Sequence, residues 1–461
     1  VSQRRAAGGR IGEARREARL RALGLLGLLA ILAGVFVIAA GAATAPSQFV
    51  PGRSGGWPGW MAGPLEGLGI GISSTSFQTF TLVVCAGYLL VLGAARTLSW
   101  RVLAPGILLA HLLLLLGPPL ISQDVFGYLA FARMGVLHGL DPYTHVAFDV
   151  PTDPIYPFIG WPFQHSPYGP LFTLSSYATA PLGIAGGLWA LKAAAVAGSL
   201  LAVALTARAA GALGHSRRFA AAFVGLNPVM LELTVGGAHN DTLVLAFLAG
   251  ALALTAGTAV TAGTGNTTDS ARSLAGTGDV VNRARSPARA SPRYRAGALA
   301  LAAGVGIKVT AGIVLPFLVL APPTWRARAR VAAAAALGLA LVAVVGLIGF
   351  GSHALGFLDA VSEQQQLVAV HSVPAETARL IGLHGTPSWW RHCFLAAFLV
   401  VLLYALWRTA RGADWRVAAG WSTLALLLST AWLLPWYAVW PLPLAAVCGE
   451  RQMDQDRVGT D

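Results

Sequence analysis

The run ALGLLGLLAILAGVFVIAAGAAT, residues 22–44, follows a segment with seven arginines between Arg4 and Arg21 and holds no ionisable side chain itself. A bilayer core is about 30 Å thick and is crossed by a helix of about 20 apolar residues rising about 1.5 Å each. The run meets that length and exceeds the roughly 7–15 apolar residues of a secretory signal, so it reads as a retained first membrane span. Comparable runs recur along the whole chain between short polar joints. Their repetition decides the fold class: all-α, a polytopic transmembrane helical bundle of about 12–13 membrane helices, including a half-helix pair and helical external loops.

Composition agrees. Of 461 residues, 56% are hydrophobic and 11% charged, with a mean hydropathy of +0.65, whereas soluble domains carry about 25% charged residues. A water-soluble globule is excluded. The net charge of +13, from 32 Lys and Arg against 19 Asp and Glu, would suggest nucleic acid in a soluble protein, but here its distribution argues otherwise. The arginines gather at 4–21, 96–101, 208–218, 272–295, 326–330 and 408–416, beside the apolar runs, which is the positive-inside pattern of membrane proteins. Cys85, Cys393 and Cys448 show no paired spacing, so neither a disulfide framework nor a metal site is indicated.

With the arginine flanks taken as cytoplasmic, the runs alternate in direction. Span one leads to an external loop at 46–76, 77–95 returns, and 102–121 goes out again. Residues 122–166 are then external. Next come a helix embedded on the outer side at 168–182, an inward span at 189–210, an outward one at 219–235, a short outer turn at 236–241 and an inward span at 242–259. Residues 261–295 are Gly, Thr, Ser, Ala and Arg without apolar periodicity, the composition of a disordered basic cytoplasmic loop near acidic headgroups. A single crossing at 297–322 would put Arg326, Arg328 and Arg330 outside, and the run breaks near Lys308. Two half-helices entering and leaving on the cytoplasmic side are therefore expected, with Lys308 near their tip. An outward span at 331–350, an external segment at 351–392 and spans at 394–409, 417–434 and 437–449 complete the chain. The expected division is a basic cytoplasmic tail (1–21), a transmembrane domain (22–449) and a cytoplasmic tail (450–461).

The external segments carry the candidate chemistry. Asp124 stands directly after a span and before an apolar helical stripe, so it either holds a carboxylate at the lipid boundary or caps the helix beginning at Val125. Lys192 lies in an apolar span, where an ionisable group costs about 2.5–3.5 kcal/mol; it calls for a phosphate or carboxylate partner, or snorkels to the headgroups. Lys308 is a second candidate for an anionic headgroup, helped by the following half-helix N-terminus, and its plain alternative is snorkelling. Asp141, Tyr143, Tyr168, the turn His239-Asn240-Asp241, and Trp436 and Tyr437 in a Trp/Pro-rich break lie in or beside outer segments. Each has a structural alternative as a cap or an interface anchor.

The ordered set DVFGYLAFARMGVLHGLDPY (124–143), SPYGPLF (166–172), HNDTLVLAFLAGALAL (239–254), GIKVTAGIVLPF (306–317) and LLPWYAVWPLPL (433–444) resembles the polyprenol-phosphomannose-dependent α-1,6-mannosyltransferases of actinobacteria, membrane glycosyltransferases of the GT-C superfamily. The resemblance implies an inverting transferase at the plasma membrane, its active site outside and both termini cytoplasmic. It would move mannose from polyprenyl-phosphate-mannose, a lipid-linked donor, to a mannan or glycolipid acceptor, with no further cofactor indicated. It places the catalytic base at Asp124, although the family's small or hydroxyl residue before the tyrosine is met only loosely by Gly127. Candidates for the donor phosphate are Lys192, Lys308, Arg133 and His239. Candidates for sugar or acceptor contacts are Tyr128, Asp141, Tyr143, Tyr168, Asn240, Asp241, Trp436 and Tyr437. The competing reading is a secondary transporter or flippase, which predicts repeated halves; no internal repeat is evident, and the ionisable residues gather in external loops.

Overall fold

A computed structural model of the chain describes residues 2–44, 58–258 and 287–448. Every regular element among them is helical, as a chain immersed in hydrocarbon requires, because a helix satisfies its own backbone polar groups. Helix Ser2–Thr44 takes in the basic segment and the first apolar run and packs on Ser74–Ala94. Gly27 and Gly87 bring the two backbones together: a Cβ on either would lie 2.6 Å from the other's carbonyl oxygen. Close backbone contact of this kind holds helices together where lipid supplies no hydrophobic drive.

Five described segments are long and apolar enough to cross a membrane: Gly12–Thr44, Ser74–Ala94, Pro170–Ala212, Trp325–His353 and Ser388–Ala410. The pair Arg217–Gly225 and Val229–Val235, bent by 46°, makes a sixth. The all-α bundle holds, and among the described residues several of the expected spans are shorter or broken helices. Trp100–Leu116 and Asp241–Thr255 are shorter apolar helices, and the last expected spans become Trp415–Ser429, a 3-10 turn at Pro435–Val439 and the short Leu442–Cys448. Prolines and polar breaks divide apolar runs that hydropathy alone counts as whole. The stretch expected as a disordered loop also differs at its end, since residues 287–295 belong to helix Pro287–Ile307; residues 261–286 and the tail 450–461 lie outside the described residues.

The turns with arginines collect at one end. Arg218 Nη1 donates to Leu98 O at 2.8 Å and Arg217 lies over the Trp100 ring at 6.0 Å. Arg328 donates to the carbonyls of Pro322 and Ala410, each at 2.8 Å. Helices Gly183–Ala212 and Asp241–Thr255 run parallel, with Gly198 against Leu243 and Gly250 against Leu205, so both finish at this end.

The expected turn-back at Lys308 is present, but its first arm is a 21-residue helix and not a half-helix. Helix Pro287–Ile307 stops at Lys308, which is extended (φ −152°, ψ 127°). The chain then doubles back through Val309–Ile313 and Leu315–Leu320. Gly297 faces Leu318 and Gly304 faces Ala311 across the fold, at 3.4 and 3.3 Å from their Cβ positions. Lys308 therefore stands at the tip, at the end of the bundle opposite the arginine turns.

Candidate active site

Two turns at this far end are fastened together. The Leu120 N–H donates to the Gly236 carbonyl at 2.9 Å. Ile121 (φ 63°) and Ala238 (φ 56°) are the non-glycine residues with positive φ among the described residues. Such a conformation costs a non-glycine residue about 1–3 kcal/mol and is uncommon, above all for a β-branched side chain. The first stands three residues before Asp124 and the second directly before His239, so the strain is located where the two turns present their side chains.

The triplet His239-Asn240-Asp241 sends each side chain to a different partner. His239 is fully buried, stacks on Trp436 at 4.1 Å and 25°, and sets Nδ1 3.4 Å from Asp124 Oδ2. Neither ring nitrogen has a partner at full hydrogen-bonding geometry. Gly237 makes room for it, because a Cβ there would lie 2.7 Å from ring atoms Cδ2 and Nε2. Asn240 Oδ1 accepts from the buried Tyr128 hydroxyl, and its N–H donates to the same oxygen, both at 3.4 Å. Asp241 accepts from Lys308 Nζ at 2.9 and 3.0 Å and from Trp440 Nε1 at 2.6 Å. The ammonium also lies over the rings of Tyr437 (4.6 Å) and Trp440 (5.4 Å), a cation–π arrangement that suits a desolvated cation.

Asp124 is the first residue of helix Asp124–Leu137, and the cap residue before it, Gln123, makes no side-chain capping bond. Its N–H donates to Ser122 Oγ at 3.1 Å. Burial by itself pushes the carboxyl up, but nearby His239, the Lys308 ammonium and the Ser122 hydroxyl outweigh burial and hold it below its ordinary value. The group is thus ionised at neutral pH, the state a base needs. Tyr128 moves the other way: burial first, then the charges of Asp124 and Asp241, raise its phenol well above the ordinary value.

Asp124 and Lys308, each 12% exposed, line one solvent-open cleft. Gly127, Tyr168, Tyr437 and Trp440 share its wall, and Gln123, Trp161, Gln164, Gln364, Gln365 and Trp432 also line it. A Cβ at Gly127 would have only Phe131 Cε2 near it, at 4.0 Å, so the missing side chain leaves the cleft open beside Asp124. Tyr168 is anchored through the next residue, whose N–H donates to Ile307 O at 3.0 Å, tying the SPYG loop to the hairpin tip.

Of the residues singled out in the sequence, Asp124, Lys308, Tyr168 and Tyr437 line the cleft. Tyr128, His239, Asn240, Asp241 and Trp436 pack behind that wall. Four lie apart from it. Lys192 is buried and donates to Leu114 O at 3.0 Å, so a backbone carbonyl meets the demand for a partner. Arg133 Nε is held by both Asp153 oxygens, at 2.8 and 3.1 Å; burial would raise the Asp153 carboxyl, but Arg133, His138 and the Ile155 N–H keep it below its ordinary value. Asp141 accepts from the Tyr143 N–H and meets His353, while the Tyr143 hydroxyl donates to Tyr168 O at 2.8 Å and so props the loop. The glutamines and Trp432 of the cleft were not assigned from the sequence. The run Gln364 to Gln366 and the Trp/Pro-rich break were the available signals. Among the described residues, no group of three or more His, Cys, Asp or Glu side chains is placed to share a metal ion.

Residues 21–324 match the family described as alpha-(1->6)-mannopyranosyltransferase, N-terminal domain. The chain is 28% identical over 381 residues to alpha-(1->6)-mannopyranosyltransferase A of Mycobacterium tuberculosis, covering 76% of this chain and 64% of that protein. It is 33% identical over 153 residues to alpha-(1->6)-mannopyranosyltransferase B of Corynebacterium glutamicum, covering 29% of this chain and 23% of that protein. A further match, 32% over 143 residues, is to a probable alpha-(1->6)-mannopyranosyltransferase of Mycolicibacterium smegmatis, covering 29% and 25%. The chain thus spans less than two thirds of the length of these relatives. No solved structure matches it.

Proposed function

Because the chain belongs to the alpha-(1->6)-mannopyranosyltransferase family, we propose that it is an inverting membrane transferase that moves mannose from polyprenyl-phosphate-mannose to a mannan or glycolipid acceptor. The observation that carries this reading is the convergence of an ionised carboxylate, Asp124, and a lysine, Lys308, on one cleft at the end of the bundle away from the arginine turns. The positive-inside rule puts those turns in the cytoplasm, so the cleft opens on the outer side of the plasma membrane. The family match weighs for an enzyme over a transporter or flippase.

The chemistry follows from the two charges. The acceptor hydroxyl attacks the anomeric carbon from the face opposite the phosphate, its oxygen–carbon bond forms as the bond to the phosphate oxygen breaks, and the configuration inverts. Asp124 takes the hydroxyl proton. The polyprenyl phosphate leaves as an anion and needs no proton; Lys308, braced by Asp241 and Trp440, stabilises the charge it gains. His239, its Nδ1 3.4 Å from Asp124 Oδ2, faces the carboxylate and helps keep it ionised. A base at the lipid edge suits a donor whose tail stays in the bilayer.

The test is transfer from radiolabelled polyprenyl-phosphate-mannose to mannan acceptors by the purified protein. Asp124→Asn should lower turnover about 10²–10⁴-fold, the range for loss of a general base, with the protein still membrane-inserted. Undiminished transfer by this variant would move the base elsewhere and sink the assignment.

A further inference from the structure

The outer part of the cleft differs in chemistry from the wall that holds Asp124 and Lys308. It is built where three separate segments meet: the loop at 159–168, the helix Gly356–Gln365 and the turn at 430–434. Trp161 and Trp432 meet edge to face at 5.5 Å and 80°, an arrangement that leaves ring faces uncovered, and Trp161 is 42% exposed. Gln364 Nε2 donates to Gln164 Oε1 over a long 3.4 Å, and Gln365 lies beside them on the same lining. Each amide offers two N–H donors and two acceptor sites, so most of this capacity is free. His165 Nδ1 and Glu363 Oε2 lie 3.2 Å apart nearby. Arg391 donates to the Gln365 and Gln366 carbonyls at 3.3 and 3.2 Å, so the nearby guanidinium is turned to backbone oxygens, and the lining of the rim itself presents flat aromatic faces and neutral amides.

We propose that this rim is a binding subsite for an uncharged hexopyranosyl chain, the part of the acceptor preceding the sugar that reacts. Indole faces stack on the apolar C–H face of a pyranose ring, and amides pair a donor and an acceptor with neighbouring hydroxyls. A phosphate or uronate placed here would lose hydration without meeting a counter-charge, which is costly. The same argument keeps the donor phosphate at Lys308 and assigns the rim to the acceptor. Gly160 couples the two regions: a Cβ there would collide with the side chain of Gln123, the neighbour of Asp124, so the loop carrying Trp161 lies directly on the reacting end of the cleft. The assignment to the acceptor rests on the transferase reading.

The test has two arms on the full chain in nanodiscs. In the first, intrinsic tryptophan fluorescence is followed during titration with a linear neutral mannotriose and, separately, a uronic acid trimer. Saturable change with mannotriose, at least about tenfold weaker with the uronate and lost in Trp161→Ala/Trp432→Ala, is expected. In the second arm, Gln364→Ala and Trp432→Ala should raise acceptor KM about five- to tenfold, as loss of one hydrogen bond or stacking contact does, with donor KM unchanged and Trp432→Tyr restoring acceptor use. Equal response to both trimers, no response at all, or a rise in donor KM overturns the proposal and returns the tryptophans to interface anchoring. Trimer binding without any transfer from polyprenyl-phosphate-mannose refutes the transferase reading alone and leaves the rim as a neutral-sugar site.

Discussion

Replacing Lys308 with Met probes the hairpin tip most sharply. Asp241 is fully buried and its carboxylate accepts two contacts from Lys308 and one from Trp440. Removing the cation leaves a buried anion with a single indole N–H, and breaking a buried pair from one side costs about 3–5 kcal/mol. Asp241→Asn is milder, because Lys308 is 12% exposed and can turn its charge toward the cleft; loss of that charge-assisted bond costs about 1.5–3 kcal/mol. The double variant removes both charges and keeps an amide oxygen for Trp440, so it should recover most of the loss from Lys308→Met. The assay is thermal stability in detergent for the four members of the cycle, paired with donor KM. The account expects strong non-additivity in stability with donor use still impaired in the double variant. Stability unchanged by Lys308→Met, or losses that simply add, would refute the buried-pair argument.

Other expectations follow from the same geometry. In His239→Gln the largest of the influences that lower Asp124 is removed while burial, which raises it, stays; the acidic limb of the kcat/KM profile should move to higher pH, and a uniform loss at all pH values would make His239 merely structural. Gly135→Ala should destabilise the fold by about 1–3 kcal/mol by overpacking, since the new Cβ would overlap the rigid Tyr177 ring; an unchanged melting temperature would contradict that packing. A cysteine replacing His215 should react with an impermeant thiol reagent only from the cytoplasmic side and one replacing Gln366 only from outside, and the reverse pattern would invert the orientation.

Much of the architecture was legible because length and hydropathy are local properties. The break at Lys308 was legible too, since an ionisable group in an apolar run demands a local reason. What the sequence lacked was pairing. Lys192 and Lys308 look alike in sequence, yet one answers a carbonyl 78 residues away and the other a carboxylate 67 residues away. The triplet at 239–241 is too short to be specific, and its meaning comes from five partners on three other segments: Asp124 and Tyr128, Lys308, and Trp436 and Trp440. Asp124 had two readings, as a cap or a base; the helix starts at Asp124 itself and its carboxylate lies beside His239, so the cap reading falls and the base stands as the proposal. Tryptophans resist sequence reading for a physical reason: the same ring anchors an interface and stacks on a sugar, and only the convergence of Trp161 with Trp432 marks the rim. Among the described residues several expected spans are shorter or broken helices, because hydropathy sums across prolines and turns that end helices.

The account centres on the cleft as the place where a lipid-linked sugar phosphate meets its acceptor. The most direct measurement is a structure of the protein in nanodiscs with a non-hydrolysable polyprenyl-phosphonate analogue of mannose. The account predicts the phosphonate against Lys308 and the anomeric carbon turned so that an attacking hydroxyl lies between it and Asp124. A phosphonate bound beside Lys192 or Arg133, with Asp124 facing no part of the sugar, would contradict it.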